Sequence, residues 1–153
     1  MSGREYFQKV ILNHDQIKEL EDVMRGHRDS FRENNSNRLY AIAGGVSSVF
    51  SVVGLFSPGV GTIGTLVSII RSALNVITNS ERQAFENVAN NGFEAVDLLE
   101  SQVRQMTSSY DLFEVEFAFL DRQDLNLKFP QGGGRITRMH RKGSGWVGPG
   151  GPY

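Results

Sequence analysis

The chain of 153 residues contains no cysteine. Disulfide bonds and thiolate zinc sites are thereby excluded. Its three histidines, His14, His27 and His140, stand far apart and lack partners at metal-ligand spacing. No nucleophile accompanies a base in a recognisable pattern, so no catalytic residue, metal or cofactor is expected. Gly59-Val60-Gly61-Thr62-Ile63-Gly64 spells a dinucleotide-binding string. Such a site needs a strand before it and a second strand after its helix. Here Pro58 precedes the string, and the chain beyond runs into TNSERQAF. A phosphate-binding lysine is missing too, because Gly64 is followed by Thr65 and Leu66. The first twenty residues lack the build of a secretory leader: YFQKVIL is short and interrupted by Lys9. The expectation is a protein soluble in its producing cell, released or exported without a Sec signal peptide and membrane-associated on its target.

Charge is absent from residues 41–70, AIAGGVSSVFSVVGLFSPGVGTIGTLVSII, a run of thirty with six glycines and a proline near its middle. A segment of that composition must be buried in a helical core, an assembly interface or a bilayer. Around it the charge is uneven. Residues 1–38 carry seven basic and seven acidic side chains, and residues 80–127 carry three basic and ten acidic. Residues 128–153 hold five basic groups (Lys128, Arg135, Arg138, Arg141, Lys142) and no acid. The acidic region and the basic tail can pair within one chain or between copies. With no basic face elsewhere, nucleic acid is not an expected partner.

Helical spacing recurs four times. Ile17, Leu20, Met24, His27 and Phe31 step by three and four, as do Leu39, Ile42, Val46, Val49, Val53 and Phe56. Val60, Ile63, Val67, Ile70, Leu74 and Ile77 form a third stripe, and Phe85, Ala89, Gly92, Val96, Leu99, Val103 and Met106 a fourth. Each is the spacing of a helix that buries one side. Asn13 or Asp15 can cap the first, Ser57-Pro58-Gly59 separates the second from the third, and Ser80-Glu81-Arg82-Gln83 reads as a capping box. The expected fold is therefore mainly α: an antiparallel helical bundle over residues 1–108, built round a Gly-rich apolar hairpin at 39–78. After Ser108 the period changes to two. LFEVEFAFL (112–120), LNLKF (125–129) and RITRMHR (135–141) predict a small antiparallel β meander within 109–142. PQGGG is expected as a turn, and residues 143–153 as a flexible Gly/Pro-rich tail.

The run SVVGLFSPGVGTIGTLVSIIRSALNVITNSERQAFENVANNGFEAVDLLESQV resembles the start of the helical pore-forming domain of insecticidal delta-endotoxins. There too a small-residue apolar segment breaks at a Pro-Gly turn. It precedes an amphipathic helix and an acidic-capped helix with an early phenylalanine. The corresponding stretches here are Gly54–Gly64, Leu66–Ile77 and Phe85–Val103, within about residues 41–106. The resemblance implies a membrane-active, pore-forming protein that passes from a soluble to an oligomeric inserted form. Gly44, Gly45, Val49, Val53, Phe56, Pro58, Gly59, Gly61, Gly64, Val67, Ile70 and Arg71 are then the insertion residues. Arg135, Arg138, Arg141, Lys142 and Trp146 are the candidate lipid or subunit contacts. With Pro58 at one interface and a helix over the eleven uncharged residues 60–70, Arg71 falls roughly 16 Å in, where a charge costs about 2.5–3.5 kcal/mol in a bilayer. Insertion is accordingly expected to be conditional. The alternative is a non-enzymatic structural subunit of a filament, tube or shell, with the hairpin buried between copies. Both readings expect a homo-oligomer; only the first adds membrane lipid.

Overall fold

The structure is a computed structural model that describes residues 4–42, 55–56 and 62–148. Its first strand, β1 (Arg4–Leu12), leads into helix α1 (His14–Glu33). Asn13 makes that junction sharp: its side chain accepts from the Gln16 N–H at 2.8 Å, and the Gln16 side chain accepts from the Asn13 N–H at 2.9 Å. This reciprocal pair satisfies two donors that a helix start leaves unpaired. Asn34, in the left-handed region at φ 56°, ends the helix. Two shorter helices follow, α2 (Asn37–Ile42) and α3 (Ile63–Leu74), then the long α4 (Asn79–Arg104). The capping box of α4 is Thr78 with Glu81, two residues before the serine the sequence suggests.

The remainder is sheet. Strand β2 (Tyr110–Arg122), a 3-10 turn (Gln123–Leu125), β3 (Leu127–Arg141) and β4 (Trp146–Val147) form an antiparallel sheet with β1, in the order β1-β2-β3-β4. Helices α1 and α4 pack on each other and α4 packs on β3, giving a helical layer over one face of the sheet. The stripe Ile17, Leu20, Met24, His27 and Phe31 is fully buried, as is nearly all of Phe85, Ala89, Gly92, Val96, Leu99 and Val103. Phe113, Val115, Phe117 and Phe119 complete the core with no exposed surface. Each such phenylalanine contributes about 1.5–3 kcal/mol of burial.

This architecture corrects the expected mainly α bundle. The molecule is α+β, and among the described residues no long apolar helical hairpin exists. Gly44, Gly45, Val49, Val53, Pro58, Gly59 and Gly61 lie outside the described residues. Three features account for the difference. Strand β1 pairs with β2 across more than a hundred residues of chain, with Tyr6 opposite Phe119 and Val10 opposite Val115. Its apolar residues fall on both faces, so it shows no clean period of two. PQGGG is no turn but part of β3, a continuous strand with irregular register against β2. Gly133 and Gly134 carry φ of +82° and +81°, which glycine adopts freely, and this lets the strand bulge without ending. Finally, the expected flexible tail is built into the sheet as far as it is described. The chain turns at Gly143 (φ 71°), and β4 pairs Trp146 with His140.

Candidate assembly interface

Strand β1 pairs with β2 on one side and with no other strand among the described residues. Its backbone donors and acceptors on the other side form an open edge, which natural proteins usually shorten, cover or charge. This one is nine residues long. Alternation sorts its side chains. Tyr6, Val10 and Leu12 lie toward the helical layer, with Tyr6 stacked on Phe119 at 5.8 Å and Leu12 buried. Glu5, Phe7, Lys9 and Ile11 take the opposite face. Phe7 is 71% exposed and Ile11 49%. Two large apolar side chains, four residues apart on one face of an open edge, are the surface of this fold that most needs a partner. Among the described residues the other exposed large apolar side chains, Tyr40, Val76 and Leu98, stand singly on α2, the α3–α4 connection and α4.

Beside Phe7 and Ile11 the outer face is charged and internally paired. Arg138 grips Glu114 with two hydrogen bonds of 2.7 and 3.1 Å, and Thr137 donates a third at 2.8 Å. The Arg138 and Thr137 bonds hold the Glu114 carboxyl down at about 2. Arg135 binds Glu116 at 3.1 Å. The guanidinium of Arg138 also lies 4.6 Å from the Trp146 ring, which meets His140 edge-on. His140 in turn contacts Asp111 at 2.6 Å. Of the predicted lipid or subunit contacts, Arg138 and Trp146 are thus joined across β3 and β4, and Arg135 is held separately by Glu116 on β2. Arg141 lies over Tyr110, and with Lys142 and Met139 it lines a groove of about 640 Å³.

The described insertion residues are part of the folded body. Val67, Ile70 and Phe56 are buried, and Arg71 donates to the Ser36 hydroxyl at 2.9 Å. Gly64 lies in the first turn of α3, behind the Thr62 cap. Phe56 is tied down twice. Its carbonyl accepts from the Lys128 N–H at 2.9 Å, and its ring lies 5.3 Å from that of His27. His27 has no exposed surface, and neither ring nitrogen has a hydrogen-bond partner. Phe31 and Phe129 complete its surroundings at 5.3 and 4.6 Å. Burial pushes the imidazole down to about 3, so it is uncharged at neutral pH.

Between α1 and α4 lies a second titratable cluster. Glu100 receives Arg104 at 2.5 and 3.1 Å and contacts His14 at 2.8 Å. Its carboxyl is depressed, first by the Arg104 bond and then by His14. Glu21 is pushed up to about 7 by burial and by the neighbouring carboxyl of Asp97. No nucleophile completes this cluster, and no metal-binding group of three ligands exists among the described residues. Nor is any helix there long and apolar enough to cross a membrane.

Sequence reasoning passed over Glu5, Phe7, Lys9 and Ile11. The signal available was the β-branched and aromatic content of EYFQKVIL, with apolar residues at both parities. No protein family, curated protein or solved structure matches the chain.

Proposed function

We propose that the protein is a non-enzymatic subunit of a homo-oligomeric assembly, in which copies associate through the open edge of the sheet. The exposure of Phe7 and Ile11 along β1 carries this reading. An edge strand with outward apolar side chains gains both ladder hydrogen bonds and buried area when a second strand is added. The test is native particle mass across a concentration series, for wild type and for Phe7→Lys. Wild type is expected above the mass of one chain and Phe7→Lys at that mass, with unchanged circular dichroism. A wild-type chain that remains monomeric throughout contradicts the proposal.

A second reading, permeabilisation of a target membrane by the apolar stretch around Phe56, is favoured by one observation. Phe56 lies within that stretch, and its ring rests on a histidine that can be buried only while uncharged. Acid would then loosen the anchor. Dye release from anionic liposomes should rise as pH falls from 7 to 5 and should be blunted in His27→Phe. Equal, negligible release at both values removes this reading and leaves the assembly subunit.

A further inference from the structure

We infer that the partner of β1 is β1 of a second copy, antiparallel across a two-fold axis at Phe7, so that two four-stranded sheets become one. This rests on the assembly reading and adds to it the partner and the register. A two-fold axis perpendicular to the sheet keeps each side chain on its own face and brings residue i opposite the partner residue that mirrors it about the centre. Seven centres, Glu5 to Ile11, have strand on both sides; those at Val10 and Ile11 overlap only residues 8–12 and 10–12 and match no charge with charge. An axis at Glu5 or Lys9 sets a like pair face to face, which destabilises a sheet. An axis at Tyr6 places Glu5 opposite Phe7, and one at Gln8 places Lys9 opposite Phe7, so neither matches charge with charge. The axis at Phe7 sets Glu5 against Lys9 twice, on either side of a Phe7–Phe7 pair. Residues 4–10 of both copies then overlap, and Arg4 meets Val10.

The surroundings permit this register. Phe7 stands opposite Ala118 on β2 and Lys9 opposite Glu116, so the new aromatic pair is flanked by a small residue on each side. On the helical side Arg4 and Gln8 are exposed, so the helices leave the outer part of β1 uncovered. The merged sheet keeps both helical layers on one face and both copies of Phe7 and Ile11 on the other.

Charge reversal tests the register directly. Lys9→Glu and Glu5→Lys each turn two attractive pairs into two repulsive ones, and the double variant Glu5→Lys/Lys9→Glu restores both. In sedimentation equilibrium of the full chain, each single variant should weaken the dimer about 10-fold to 100-fold. The double variant should return to within about threefold of wild type. Urea midpoints of all three establish that they remain folded. A wild-type dimer that none of these changes weakens overturns the register while sparing the assembly reading. So does a double variant no better than its parents. A monomeric wild type overturns both.

Discussion

Replacing Gly92 with valine should leave the protein unfolded. Gly92 sits in the interior of α4, where glycine ordinarily costs about 1 kcal/mol relative to alanine. Its retention follows from what lies against it. A β-carbon there would overlap the carbonyl oxygen of Pro130 and come within 2.7 Å of the Met24 terminal methyl. Met24 is a flexible side chain and can yield. The Pro130 carbonyl belongs to β3 and can move only if helix and sheet separate. Overpacking of a core typically costs 1–3 kcal/mol, and a backbone obstacle places alanine at about 3 kcal/mol before its gain in helix propensity is returned. Valine adds two methyl groups in the same direction, against a total stability on the order of 5–15 kcal/mol. Gly132→Ala is the control, since nothing lies within 4 Å of its added carbon. Urea titrations followed by circular dichroism should show no cooperative transition for Gly92→Val and a midpoint near wild type for Gly132→Ala. A cooperative Gly92→Val variant within about 1 kcal/mol of wild type would mean that α4 and β3 are not in close contact.

Acid should weaken the protein through His27, and His27→Phe should remove that weakness. The folded-state imidazole titrates near 3 and the unfolded one near 6.5. The unfolded chain therefore binds the extra proton first as pH falls. The contribution is fully present above 6.5 and is lost progressively down to 3. At pH 5 the loss is about 2 kcal/mol, from 1.4 kcal/mol per unit. The groups packed round the ring do not offset this. Phe31, Phe56 and Phe129 are uncharged. Cations on the packed elements are engaged elsewhere, Arg28 with Asp29 and Asn90, Arg82 with the Phe31 carbonyl and Arg122 with Asp124. Glu21 works in the opposite sense: its raised carboxyl favours the folded state at low pH, an advantage lost as pH rises from 4.5 through 7. Glu21 is common to both proteins, so the readout is the difference between wild type and His27→Phe at pH 7 and pH 5. Wild type should lose about 2 kcal/mol more than the variant. Equal losses would show that His27 keeps its ordinary affinity for protons in the folded state.

The two long helices were legible because their signals are local. The stripes through Ile17–Phe31 and Phe85–Val103 are the faces the fold buries, including His27 and Gly92, which look like poor members of an apolar series. Gly92 belongs there because the contact is with backbone, and His27 because aromatic rings surround it. The sheet was legible in β2, where Phe113, Val115, Phe117 and Phe119 alternate with smaller or charged residues, and at the two ends of β3, in LNLKF and RITRMHR. β1 gains its form from a partner distant in sequence, and β3 runs on through PQGGG by irregular register at its glycines; no short window shows either. The uncharged run at 41–70 announced burial without saying by what. The structure places Phe56, Leu66, Val67 and Ile70 of that run in the core of an α+β body. The residues of the proposed interface were invisible for a related reason: Phe7 and Ile11 look like ordinary strand residues until β1 is known to be an edge.

The most direct measurement is hydrogen exchange of the β1 amides at increasing protein concentration. In a lone chain, the alternate amides of residues 4–10 that point away from β2 have no acceptor and exchange quickly. Self-association at this edge predicts that those same amides slow as concentration rises, while the core amides of α4 do not change. Fast exchange at every concentration would contradict the account.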